Sequence, residues 1–183
     1  MVNSAENLLC LVGMGANLPS RHGGPLDTLI AALAAMEDKN ISVLARSPWF
    51  ESEPVPKSDQ GWFVNGAALI KTSIRPSNLL KILHEIEIDS GRVRSIPNAA
   101  RPLDLDLLMI AGIGSLAPQA ALPPSDLSGR ALVLPHPRLK ERAFVLRPLR
   151  TIAGDWVHPE TGQTIAAMEA ALPDDPVVRL LQR

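Results

Sequence analysis

The tightest constraint on this chain is a five-residue stretch, Leu103-Asp104-Leu105-Asp106-Leu107, in which leucine and aspartate alternate strictly. A period of two belongs to a β-strand, whose successive side chains point to opposite faces. The three leucines therefore enter an apolar layer, and both carboxylates emerge on the other face, about 7 Å apart along the chain. Two like charges so placed repel each other, and a divalent cation relieves the repulsion. Mg²⁺ suits the pair: it takes one or two carboxylates and completes its shell with water and substrate phosphates. Two ions shared by the pair suit phosphoryl transfer. An amphipathic strand with a solvated face is the commoner origin of an isolated D-x-D, so the neighbours have to decide.

Those neighbours are arginines. Gly91-Arg92-Val93-Arg94 precedes the strand, and Arg101 stands three residues before Asp104. Pro135-His136-Pro137-Arg138 and Glu141-Arg142-Ala143-Phe144 follow it. Between positions 92 and 150 there are eight Arg and one Lys against Asp104, Asp106, Asp126 and Glu141, a local balance of +5 in a chain of net charge −1. Guanidinium forks match phosphate oxygens, and beside a two-carboxylate metal site they are what a polyphosphate needs. A solvated basic face or structural salt bridges are the alternatives. The low net charge argues against bulk nucleic-acid binding.

Periodicity supplies a coarse map. Residues 8–16 read as a buried strand. Gly23-Gly24-Pro25 opens a helix over 26–36 with Leu26, Leu29, Ile30 and Leu33 on its apolar face. Strands follow over 41–50 and 62–72, separated by a polar loop at 51–61. Pro76 begins a second helix, with Leu79, Leu80, Leu83 and Ile86 inward and Glu87 at the edge, and Gly91 ends it. A strand covers 103–110, and the Gly-, Ala-, Pro- and Ser-rich stretch 111–130 reads as a loop insertion. A short strand at 131–134, a helix over 142–152 shortened or kinked by Pro148, and a last helix over 164–171 complete the chain. With 183 residues and no repeat or linker, these elements fit a single α+β sandwich domain.

Several classes are excluded. There is no G-x-x-x-x-G-K-[ST], and Gly13-Met14-Gly15 has Leu18 where a dinucleotide fingerprint needs its third glycine. His22, His84, His136 and His158 are scattered, and only His136 has chemical company. Cys10, the one cysteine, sits in an apolar run and reads as a buried strand residue. A reducing cytoplasmic setting is expected, because residues 1–7 make a poor signal-peptide start and no apolar stretch spans a membrane. Phe63, Phe144 and Asn65 are of the type to stack on and read a flat heteroaromatic ring, with core packing the plainer role for each phenylalanine.

In order along the chain, the motifs are Gly15-Ala16-Asn17-Leu18, Asp59-Gln60 with Phe63-Val64-Asn65, and Glu87 with Gly91-Arg92-Val93-Arg94. Arg101-Pro102-Leu103-Asp104-Leu105-Asp106, Pro135–Arg138, Glu141–Phe144 and Pro148-Leu149 complete the set. In this order they resemble the hydroxymethyldihydropterin pyrophosphokinases of folate biosynthesis. The resemblance implies a three-layer αβα sandwich of ferredoxin-like character around a mainly antiparallel sheet. It implies transfer of the β,γ-diphosphate of ATP to a hydroxymethyl dihydropterin, with two Mg²⁺ held by Asp104 and Asp106. Arg92, Arg101, Asp104 and Asp106 would be catalytic. Ser52, Glu53, Val55, Phe63, Asn65, Asp104 and Phe144 would meet the pterin. Leu80, His84, Glu87, Arg94, Arg101, Leu107, His136 and Arg142 would meet ATP. Asn98-Ala99-Ala100 stands where the family carries Trp-Gly-Pro, so a lid there would close less fully or be sealed by another residue such as Trp49 or Trp62.

Two other readings fit the residues less fully. One is a different two-metal phosphoryl or nucleotidyl transferase, against which the Phe63/Asn65 pair argues for a small substrate. The other is a ligand-sensing module, which has no need of paired aspartates beside arginines.

Overall fold

In the computed structural model, which describes residues 7–93, 99–111, 132–173 and 177–182, every strand belongs to one six-stranded antiparallel sheet. The strands are β1 (Leu8–Ala16), β2 (Ser42–Arg46), β3 (Phe50–Ser52), β4 (Phe63–Thr72), β5 (Asp104–Ala111) and β6 (Val178–Leu180). The sheet order is β5-β1-β4-β3-β6, with β2 also paired to β4. Helices α1 (Pro25–Asp38) and α2 (Pro76–Asp89) cover one face, while α3 (Ala143–Ala153) and α4 (Ile165–Ala170) cover part of the other. This is the expected three-layer αβα sandwich.

Alternation along the strands builds the two cores. Cys10, Val12, Met14 and Ala16 from β1 join Leu103, Leu105 and Leu107 against Leu29 and Met36 of α1 and Leu79 and Leu83 of α2. Each fully buried leucine of this layer contributes about 1.5–3 kcal/mol. On the opposite face Leu11, Ala67, Leu108 and Met109 pack against Leu146, Leu149, Ile165 and Met168. Burial pushes the Cys10 thiol up to about 12, which keeps it protonated and inert. A β-bulge at Leu108 turns both Leu108 and Met109 toward α3. That is why β5 stops alternating and becomes wholly apolar.

Four expectations change. The strand expected over 41–50 is two strands, β2 and β3, both on the same side of β4. Pro48 offers no N–H to the ladder, and the Ser47 hydroxyl accepts the Ala67 N–H at 2.9 Å in place of a backbone carbonyl. Ile30 is not on the inward face of α1; it is 46% exposed, because the buried stripe runs Leu29, Ala32, Met36. Pro148 neither shortens nor breaks α3, which continues to Ala153 without the bond that residue 148 would have given the Phe144 carbonyl. Residues 132–134 form no strand; the loop docks instead through the His136 N–H, which donates to Leu108 O at 2.7 Å. The insertion expected at 111–130 falls, after Ala111, outside the described residues.

Trp49 is 7% exposed, with its ring packed over Gly66. It is therefore a core residue and not available to seal a lid. A Cβ at Gly66 would lie 2.5 Å from the Trp49 ring, so the ring approaches the strand as closely as it does only because that position is glycine. Gly66→Ala should lower stability by about 1–3 kcal/mol, the usual cost of overpacking, read as a drop in the urea midpoint. An unchanged midpoint would mean that Trp49 moves freely.

Candidate active site

On the α3 face the helices leave one end of the sheet uncovered. The β1–β5 register sets Gly13 opposite Asp106 and Gly15 opposite Asp104. Glycine has no side chain to fill the space above the sheet, and a cleft of about 180 Å³ opens there. Asp104 and Asp106 form part of its floor, while the first turn of α3, Ala143 to Val145, forms one wall. The chain that runs out of β3, Ser52 to Val55, also lines it, together with Phe63 and Asn65.

The aspartates sit in a network of arginines. Asp104 Oδ1 accepts from Arg92 at 2.7 Å and from Arg101 at 2.9 Å. Arg142 lies 3.8 Å from Asp106 Oδ2 and stands over the Phe144 ring, 5.5 Å from its centroid. About a third of the Asp106 side chain still faces the cleft. Burial, then the neighbouring Asp104 charge, push its carboxyl up to about 6 against the pull of the arginines. Two hard carboxylate oxygens on one face, both reachable from the cleft, fit Mg²⁺. Among the described residues no group of three acidic, imidazole or thiolate side chains converges to form a complete protein cage. The donor set suits an ion whose remaining positions go to water and phosphate.

Glu87 holds this network from beneath. Its carboxylate is 3% exposed, pairs with Arg92, and accepts the backbone N–H of Leu105 at 2.7 Å. Leu105 is the residue between the two aspartates, so α2 grips β5 at the site itself. Burial outweighs the Arg92 pairing and pushes the Glu87 carboxyl up to about 7.

The aromatic end is equally ordered. The Asn65 amide donates from Nδ2 to Ser52 Oγ at 2.9 Å, which fixes the amide with Oδ1 over Gly15. Asn17, which the sequence shows only as part of a motif, acts here as a tie between segments. Its side chain accepts the Arg101 N–H at 2.8 Å and donates to Gly61 O at 3.2 Å. The end of β1 is thereby joined to Arg101 and to the loop before Phe63. Arg138 and Glu141 also line the cleft, a role their motifs alone did not assign.

Of the expected residues, Ser52, Glu53, Val55, Phe63, Asn65, Arg101, Asp104, Asp106, Arg142 and Phe144 line the cleft together. Arg92 reaches it through Asp104. His136 stands close by, its imidazole pKa lowered by burial and then by Arg142 and Arg138. The Arg138 N–H points to His136 Nδ1 at 3.2 Å, so the proton of the neutral ring lies on Nε2. Leu107 is 2% exposed in the α1/α2 core, and its side chain does not line the cleft. Glu87 is turned to Leu105 of β5 and to Arg92. Leu80 and His84 are half-buried on the α2 stripe leading to Glu87 and do not line the cleft. Arg94 and most of the loop around Asn98 lie outside the described residues.

Residues 11–154 match the family described as 7,8-dihydro-6-hydroxymethylpterin-pyrophosphokinase. The chain belongs to this family. The 2-amino-4-hydroxy-6-hydroxymethyldihydropteridine pyrophosphokinase of Pseudomonas aeruginosa is 35% identical over 170 residues, which cover 92% of this chain and 94% of that protein. The Folic acid synthesis protein fol1 of Pneumocystis carinii is 34% identical over 179 residues, covering 98% of this chain but only 22% of that protein. The chain thus spans about a fifth of the length of fol1-type relatives and nearly all of the bacterial one. A crystal structure of a Plasmodium falciparum HPPK-DHPS triple mutant superposes with a TM-score of 0.66 at 13% identity, over 92% of this chain and 45% of that one. At that identity the likeness supports the pyrophosphokinase fold.

The raised Glu87 carboxyl predicts a pH-dependent stability. Its folded-state value of about 7 lies above its ordinary 4.5, so between these values the folded protein holds a proton that the unfolded chain has released. The contribution is complete below pH 4.5 and is lost as pH rises through 7. Glu87→Gln abolishes this titration, so its stability relative to wild type should improve by about 1–3 kcal/mol between pH 5 and pH 8 in urea unfolding. A difference that does not change with pH would place the Glu87 charge in the folded state throughout.

Proposed function

We propose that this chain transfers a diphosphoryl group from ATP to the hydroxymethyl oxygen of 6-hydroxymethyl-7,8-dihydropterin, giving AMP and the pterin diphosphate for folate synthesis. The observation that carries the reading is that one cleft joins a phosphate-type half to an aromatic-type half. Paired aspartates with Arg92, Arg101 and Arg142 form the first, and Phe63, Phe144 and Asn65 form the second. The bond formed is hydroxymethyl O to the β-phosphorus of ATP. The bond broken joins that phosphorus to the α,β-bridging oxygen, which leaves with AMP.

The chain's own residues supply position and charge. Phe63 and Phe144 present ring faces for the pterin, and Asn65 Oδ1 accepts from the donors on its edge. Arg92 and Arg101 exchange Asp104 for phosphate oxygens when the nucleotide arrives, and Arg142 balances charge at Asp106. His136 Nε2–H donates to the triphosphate, and Arg94 stands near enough in the sequence to join it. Asp104 and Asp106 would hold Mg²⁺, which when bound neutralises phosphate oxygens and polarises the phosphorus under attack. The first turn of α3 adds its positive dipole end to the same wall. The expected setting is the cytoplasm, and among the described residues no helix is long and apolar enough to cross a membrane.

Two substitutions test the two halves. Asp104→Ala should lower kcat by about 10²–10³-fold, the scale of a lost electrostatic group, in an assay that measures AMP formed from ATP and the dihydropterin with Mg²⁺. Retained turnover would remove the metal assignment. Phe144→Ala should weaken pterin binding while leaving Mg·ATP binding nearly intact, since stacking alone is worth ~0.5–1.5 kcal/mol beyond the lost contact area. Titration calorimetry with each ligand separately reads the result, and equal losses for both would make Phe144 a core residue.

A further inference from the structure

The stretch of the chain matched by the family ends at residue 154, yet the aromatic wall of the cleft rests on what comes after it. Strand β3 has only three residues, and it is held between β4 on one side and β6 on the other. The register sets Ser52 opposite Val178 and Glu51 opposite Arg179. The Glu53 N–H donates to Val177 O at 3.3 Å, which extends the pairing into the segment that lines the cleft. Val178, 5% exposed, packs with Phe50 and Ala143, and Phe144 lies against this cluster. One residue of β6 therefore joins a cluster with Phe50, from the strand that carries Ser52, and with Ala143, the residue before Phe144.

Three further contacts hold β6 in place. Arg147, one turn after Phe144 on α3, donates from Nη1 to the Val178 carbonyl and from Nε to Glu169 Oε1 at 2.9 Å. Glu169 on α4 is buried, and Arg150 closes the other side of its carboxylate at 2.9 Å. Arg179 reaches across β3 to Glu51 and lies over the Trp62 ring, 4.6 Å from its centroid. The Leu181 N–H donates to Trp49 O at 2.9 Å, so β6 is also bound to the segment that leads into β3. By contrast, the carboxylate–arginine half of the cleft is built from α2, β5 and the loops around them, apart from Arg142 at the N-cap of α3.

We propose that β6, through Val178 and its Arg147 clasp, sets the spacing of the pterin-binding wall without touching either substrate. Val178 and Arg147 are positioning residues for the aromatic half of the site. The inference rests on the pterin reading of the cleft.

The test compares ligands on the full chain. Val178→Ala leaves a gap in the cluster of Phe50 and Ala143 on which Phe144 rests, so the Kd for 6-hydroxymethyl-7,8-dihydropterin should rise roughly five-fold or more, on the scale of one loosened packing contact. The Kd for Mg·ATP should stay within about two-fold, because no β6 residue reaches that half. In turnover the pterin KM should rise more than kcat falls, and Val178→Ile, which refills the gap, should restore it. Arg147→Lys keeps the charge but loses the two-pronged clasp, and should shift pterin binding in the same direction. Should Val178→Ala not fold, Arg147→Lys carries the test by itself. Unchanged pterin binding in both the Val178 and Arg147 variants overturns the proposal, as does equal weakening of both ligands, which would make β6 a general brace. Wild-type protein that binds Mg·ATP but no pterin would sink the functional reading and this inference with it.

Discussion

A single buried carboxylate organises the site. Glu87 accepts a hydrogen bond from the backbone of Leu105, the residue between the two aspartates, and at the same time pairs with Arg92. Removing such a charge from water is costly, and what offsets the cost is that one oxygen, Oε1, meets both a guanidinium and a backbone N–H. Through it α2, β5 and Arg92 become one body. Arg92 then reaches Asp104, Arg101 meets the same oxygen, and Asn17 holds the Arg101 backbone to the end of β1. The geometry at the aspartates is therefore set by helix, strand and loop together.

The cleft itself is a consequence of layer packing. A sheet of this width needs apolar cover on both faces, and α1 and α2 supply it fully on one. On the other, α3 and α4 cover only the portion around Leu108, Met109 and Ala67. Gly13 and Gly15 keep the uncovered portion low, and the first turn of α3 ends beside it. The arrangement places a rigid floor of strands under the reacting groups, as precise positioning requires. It also explains the division of the site. The charged half belongs to β5 and its neighbours and the aromatic half to β3, β4 and α3, and the two meet where Arg142 stands over the Phe144 ring.

Much of the fold was legible because its signals are local. β1 runs over the residues expected of it, and β4, β5 and α2 differ from expectation by a residue or so, since a period of 2 or 3.6 is a property of neighbouring residues alone. What escaped depends on partners distant in the chain. The break between β2 and β3 needs Ala67 to offer its N–H to Ser47. The tolerance of Pro148 needs a helix already held by packing at Leu146 and Leu149. β6 is three residues long, too short to show a pattern, and it exists because β3 presents an open edge. The inward face of α1 was misplaced at Ile30 because Leu29 and Ile30 are equally apolar, and only the position of the sheet decides between them.

The site divides in the same way. By itself the sequence determined which chemistry is present: paired carboxylates on one strand face, arginines on either side, two phenylalanines and an amide, in an order that a pyrophosphokinase family shares. Residue type and alternation are written in the chain, so those readings needed no coordinates. Tertiary structure alone decided which groups face the cleft. It tied Glu87 to Leu105 and Arg92, sent Leu107 into the core, brought Asn17 to Arg101, and placed Val178 in the cluster on which Phe144 rests. Each of these is a matter of burial and of contact across large separations in sequence. Burial is a property of the packed whole, which no stretch of residues carries on its own.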